Sequence, residues 1–224
     1  YAVSCILCPV FCILIPPLDD LPFKLTLFAV LLVSLSIHEA AHAWAADKLG
    51  DPTARQLGRL TLNPVAHIDP IGTLLLPAIA ILTSLPIIGW AKPVPVNLHQ
   101  LRHPRRDFMY IAAAGPASNL IQAALLAGAA WLMFPGGLEQ GWAGLLLLQA
   151  TFLNVLLALF NLIPVPPLDG GNVIGGLLPE HIAGAYDRLV RPWGFLILYA
   201  VLLTGLFARL IVPPAINVTW MLLP

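Results

Sequence analysis

The chain has 224 residues, of which 59% are hydrophobic and only 10% charged, with a mean hydropathy of +0.87, too apolar for an ordinary soluble domain. Formal net charge is zero and the eleven basic residues are scattered through loops, which excludes a nucleic-acid-binding face. A bilayer core roughly 30 Å thick takes about 20 apolar residues per helix, so this length supplies about five or six spans with their connections.

The first apolar run covers residues 1–16. No basic stretch precedes it and the chain starts at Tyr1, so it is expected to be a span with a trimmed or incomplete start rather than a signal peptide. Cys5, Cys8 and Cys12 recur there at helical spacing and are expected to be structural. The alternative, a redox pair at Cys5 and Cys8, has to place a costly thiolate in hydrocarbon. A second run, about 25–46, is interrupted by His38 and Glu39.

The third run, 71–89, carries Pro77 and Pro86 with Thr83 and Ser84, and leads into the β-like segment Lys92-Pro93-Val94-Pro95-Val96-Asn97. Lys48, Arg55 and Arg59 precede it, and Lys92, Arg102, Arg105 and Arg106 follow it. The positive-inside rule puts both flanks on the cytoplasmic side, which a re-entrant loop permits and a single crossing forbids.

Three further runs cover 108–134, 142–163 and 193–212. Asp19 and Asp20 after the first run, and Glu139 in the loop from 135 to 142 that has no Lys or Arg, mark outward-facing connections. The 164–192 connection holds Arg188 and Arg191 and is expected in the cytoplasm, with Arg209 near the outer end of the last span as an exception. The expected fold is therefore an all-α polytopic membrane protein. It has about five transmembrane helices, six if 71–89 crosses, and a small re-entrant β-like element. Its N-terminus is inside and its C-terminus outside. No repeat or low-complexity tract divides the chain, so 1–224 reads as one integral membrane domain.

Chemistry concentrates in the second span, in Ser36-Ile37-His38-Glu39-Ala40-Ala41-His42. On a helix His38 and His42 stand one turn apart on one face, where two imidazoles can share a metal ion. Glu39 projects nearby as a base for metal-bound water. The bland reading is three polar side chains bonding between helices. Each ionisable group deep in a span costs on the order of a few kcal/mol, so a shared cation explains all three together. A catalytic zinc needs a third protein ligand. Asp169 fits best, in Asn161-Leu162-Ile163-Pro164-Val165-Pro166-Pro167-Leu168-Asp169-Gly170-Gly171, where prolines end a helix and glycines allow a close turn. A capping or turn aspartate is the alternative. With 71–89 re-entrant, Asp169 returns to the depth of the histidines; with 71–89 crossing, it lands about 30 Å away.

His38-Glu39-x-x-His42 paired with Leu168-Asp169-Gly170 resembles the site-2 protease family, zinc metalloproteases of regulated intramembrane proteolysis. Gly115-Pro116-x-x-Asn119 and Asn161 match positions where that family carries similar residues, and the resemblance covers about 25–175. It implies one Zn2+ per chain held by His38, His42 and Asp169, with Glu39 as general base. It also implies a role for Asn161 in stabilising the oxyanion or holding the substrate backbone. Asn161 and Asn119 bonding simply across helices remains the other reading. The implied partners are a transmembrane protein substrate, belonging to a membrane-bound regulatory protein, and the lipid bilayer. The implied location is the plasma membrane, with the site toward the cytoplasm. Segment 71–97 resembles the family's re-entrant β region, whose edge can pair with an unwound substrate strand. The compact branch is expected, without a PDZ-like insertion at 135–142 or a nucleotide-sensing domain after 212.

His67, beside Asp69 in an interfacial loop, reads as a hydrogen-bonding structural residue. His99 and His103, among arginines, read as solvated or headgroup-facing, and His181 carries no signal. The rival from another class is a metal or proton transporter that uses the same intramembrane carboxylates and imidazoles, although no matching halves are visible. A second rival, a dead relative, is disfavoured because Glu39 and all three proposed ligands are present. The sequence specifies no oligomeric state.

Overall fold

The computed structural model describes residues 21–75, 78–79, 91–138 and 141–224. All regular structure among them is helical. Three helices are long and apolar enough to cross a bilayer: α1 (Leu21–Lys48), α2 (Pro104–Met133) and α3 (Trp142–Asn161). They correspond to the expected runs at 25–46, 108–134 and 142–163, extended or trimmed at their ends. The expected span at 1–16, with its cysteines, and most of 71–89 lie outside the described residues.

Local chemistry sets the ends of these helices. α1 stops at Gly50, whose φ of 108° only glycine adopts without strain. There the Asp51 N–H donates to the Ala46 carbonyl at 2.9 Å and the Gly50 N–H to the Asp47 carbonyl at 3.3 Å, closing the last turn. Proline at the first position of α2 costs nothing, because that N–H has no helical partner.

α2 is the central helix and packs against α1, α3 and α4 (Asp169–Leu177). Its contacts are built from small residues: Ala43 and Ala46 on α1, Ala123 and Ala130 on α2 and Ala158 on α3 are fully buried, so the backbones come close. Large apolar side chains such as Val33, Leu125 and Leu132 point outward, the surface expected for contact with lipid tails.

After α4 the chain forms α5 (Glu180–Leu189), α6 (Gly194–Leu203), α7 (Leu206–Leu210) and α8 (Val212–Leu222). The expected span at 193–212 is not one straight helix. It breaks at Gly205, with φ 70°, and the helical runs on either side meet at 74°. The largely apolar run hid this break, which the left-handed Gly205 makes. The two runs form a fourth crossing only as a bent span. α8 folds back on the core, with Ala215 buried against Ala123 and Val155.

Of the expected re-entrant β-like element, residues 76–77 and 80–90 lie outside the described residues. Residues 91–97 form no strand among the described residues. Pro93 and Pro95 lack the N–H groups that a ladder needs.

Candidate active site

His38 and His42 lie in the C-terminal half of α1, on the face turned to α2. Each ring is fixed through Nδ1. His38 Nδ1 lies 2.6 Å from Asn119 Oδ1, and His42 Nδ1 lies 2.7 Å from the Ile111 carbonyl. Both acceptors take a proton from Nδ1, so both rings present the Nε2 lone pair. Those two Nε2 atoms lie 3.0 Å apart. Two facing lone pairs at this distance repel unless something positive sits between or beside them.

Asp169 supplies the third group. Its Oδ2 lies 3.1 Å from His38 Nε2 and 3.4 Å from His42 Nε2, yet it is a buried oxygen without a hydrogen-bond partner. The three ligand atoms lie within 4.8 Å of one another. An orphaned carboxylate oxygen facing two imidazole lone pairs fits a divalent cation, and the two-His, one-carboxylate donor set suits zinc.

The loop before α4 explains how Asp169 arrives there. A Cβ on Gly170 would stand 2.3 Å from the Leu162 carbonyl oxygen, and one on Gly171 2.6 Å from the Pro166 nitrogen. Only glycine lets residues 162–168 fold tightly onto the start of the helix. Asp169 occupies the first turn of α4, where the helix dipole favours an anion. Gly115 does the same for the histidines, since a Cβ there would meet His42 Nε2 at 2.4 Å and His38 Cε1 at 2.6 Å.

A cavity of about 260 Å³ opens beside this group, lined among others by Glu39, Val94, Phe108, Asn161 and Asn172. Glu39 is half-buried, and its Oε2 accepts the Val94 N–H at 3.1 Å. Asn161 is on the cavity wall, with its Nδ2 donating back to the Leu157 carbonyl at 3.0 Å. The structure therefore brings together all five candidate residues. His67 stands apart, buried, with its Nε2 2.9 Å from the Thr61 carbonyl. His99, His103 and His181 are exposed.

Sequence reasoning offered Asn119 as a residue bonding across helices, which the structure shows, but missed the partners Asn154 and Ser34 that extend it into a polar column behind the site. Asn119 Nδ2 donates to Asn154 Oδ1 at 3.0 Å, and Asn154 Nδ2 donates to Ser34 Oγ at 3.0 Å. Asn119 and Asn154 are fully buried, so the column joins α1, α2 and α3 through their interior. Spacing held a clue, because Ser34 is one turn before His38 and Asn154 two turns before Asn161.

Residues 137–205 match the family model described as Peptidase family M50, a stretch that contains Asp169 but not the two histidines. The chain is 38% identical over 202 residues to "Putative zinc metalloprotease YwhC" of Bacillus subtilis, covering 88% of this chain and 87% of that protein. It is 34% identical over 199 residues to "Putative zinc metalloprotease Rip2" of Mycolicibacterium smegmatis, covering 87% of this chain and 73% of that one. No solved structure matches. Identity at this level across most of both chains, joined to a group of two buried histidines and a half-buried aspartate among apolar helices, means that the chain belongs to peptidase family M50, the site-2 proteases, and is a membrane-embedded zinc metalloprotease.

Proposed function

We propose that this protease hydrolyses peptide bonds in or near transmembrane helices of membrane-bound regulatory proteins, with His38, His42 and Asp169 as the zinc ligands and Glu39 as general base. The observation that carries this reading is the convergence of two Nε2 atoms and an orphaned carboxylate oxygen on a cavity that Glu39 also lines. Zinc held there supplies Lewis acidity, polarising a carbonyl and acidifying water. Glu39 takes the proton as water attacks the scissile carbonyl and delivers it to the amide nitrogen as the C–N bond breaks. Asn161, on the same wall, stabilises the oxyanion or holds the substrate backbone.

The site is read as facing the cytoplasmic side of the plasma membrane. In support, His42 on α1 bonds Ile111 on α2, and Ala45 and Ala46 pack with Leu101, so the chain between these helices leaves and returns at one depth. That favours a re-entrant rather than a crossing segment between them, and five crossings in all. Residues 1–224 are read as one domain with its core at about 25–175. Transmembrane substrates must unwind before attack, because their amides are paired within the helix.

The test is reconstitution of the purified chain in liposomes with a single-span model substrate, mapping the cut by mass spectrometry. We expect a cut within or at the edge of the span, abolished by a zinc chelator and restored by zinc. Cuts confined to soluble flanks far from the span would contradict the reading.

A further inference from the structure

Residues 91–97 form part of the wall of the site cavity, through Pro93, Val94 and Val96. This segment has no regular secondary structure, yet groups outside it hold it at successive points. The Lys92 N–H donates to the His67 carbonyl at 2.9 Å. The Arg59 guanidinium donates to the carbonyls of Lys92 at 2.9 Å and Pro93 at 3.2 Å. The Val94 N–H donates to Glu39, and the Asn97 N–H donates to Asp51 Oδ2 at 2.6 Å.

Arg59 is 8% exposed and Asp51 0%. Burying such charges is costly unless they are well bonded, and here much of their bonding goes to the backbone of one irregular segment. Both charges belong to the loop that follows α1. Asp51 also accepts the Thr53 N–H at 3.0 Å, and the Arg59 N–H donates to the Ala54 carbonyl at 2.8 Å. The segment is thus fixed relative to the helix that carries His38, Glu39 and His42. A misplacement of about 1 Å beside a reacting centre is enough to cost rate or affinity.

We propose that residues 92–97 are a strap held in register with the metal site by Arg59 and Asp51, and that Arg59 is a positioning residue for the substrate. By fixing the carbonyls of Lys92 and Pro93, it sets where Val94 stands beside Glu39. It thereby sets the lane along which an extended substrate segment reaches the site. The substrate role rests on the proteolytic reading above; the clamp itself does not.

The experiment compares the full chain in detergent as wild type, Arg59→Ala and Arg59→Lys. It measures amide exchange over 91–97, zinc per chain, and kcat and KM on a model transmembrane substrate. In Arg59→Ala, exchange over 91–97 rises about tenfold or more, while protection of α1 and α2 and the zinc content hold. KM rises about tenfold and kcat changes far less, with Arg59→Lys between the two. Unchanged exchange over 91–97 would overturn the clamp. Loss of zinc or of helix protection in both variants would make Arg59 a general structural residue and overturn the proposal. Altered exchange with an unaltered KM would overturn the substrate role. If the wild type does not cut, the proteolytic reading fails with the substrate role, and the exchange data still decide the clamp.

Discussion

Asn119 Oδ1 lies 2.6 Å from His38 Nδ1, and the same Asn119 side chain reaches Asn154 on the next helix at 3.0 Å. A proposed metal ligand on α1 is therefore oriented by a residue on α2 that is itself held by α3. A ring fixed at Nδ1 keeps the tautomer and the angle that ligation at Nε2 requires. Asn119→Leu, of similar volume, is expected to lower zinc affinity about 10- to 100-fold, read by competition with a chromogenic chelator. It should also cost about 1–3 kcal/mol of stability by leaving Asn154 partly unpaired in the interior. Wild-type zinc affinity in this variant would contradict the orienting role.

Gly115 tests the geometry by volume alone. Its missing Cβ would stand 2.4 Å from His42 Nε2, whereas a Cβ on Gly128 of the same helix would meet nothing within 4 Å. Gly115→Ala should displace an imidazole that its Nδ1 bond otherwise holds, with loss of most bound zinc in a metal assay of the purified protein. Gly128→Ala should keep its zinc and gain about 0.5–1 kcal/mol of stability from the better helix former. Equal zinc in both variants would mean that the rings are not where the structure puts them.

Asn161 distinguishes two roles through kinetics. As an oxyanion donor, its loss in Asn161→Ala should lower kcat about 10²- to 10³-fold with little change in KM. As a holder of substrate backbone, its loss should raise KM instead. Zinc content is expected to be unchanged in either case, since the Asn161 amide bonds the Leu157 carbonyl and not a proposed ligand. Loss of zinc would move Asn161 from the substrate to the metal.

The parts of the site that sequence made legible are those with short-range geometry. His38, Glu39 and His42 fall within about one helical turn, so one assumption, a helix, aligns them. Asp169 was legible because proline and glycine around it announce a tight turn. Of the Asn119–Asn154–Ser34 column only Asn119 was legible, because single polar residues such as Asn154 and Ser34 on separate helices say nothing of which faces meet. Arg59 entered the sequence reading only as part of the basic flank before 71–89, and Asp51 drew no reading; only the fold shows that they grip backbone at 92–97. In the fold, the long helices were legible from apolar length, while the bend at Gly205 hid inside a largely apolar run. The β-like reading of the segment rested on resemblance; residues 91–97 form no strand among the described residues, and Pro93 and Pro95 have no N–H to donate to a ladder.

The central claim is that Glu39 acts as the base at a zinc site built by its neighbours on α1 together with Asp169 on α4. The most direct test measures zinc content and cleavage of a model transmembrane substrate for the wild type and Glu39→Gln side by side. The account predicts one zinc per chain in both, with cleavage reduced in the variant by about 10²- to 10⁴-fold. Cleavage by Glu39→Gln at the wild-type rate would contradict it.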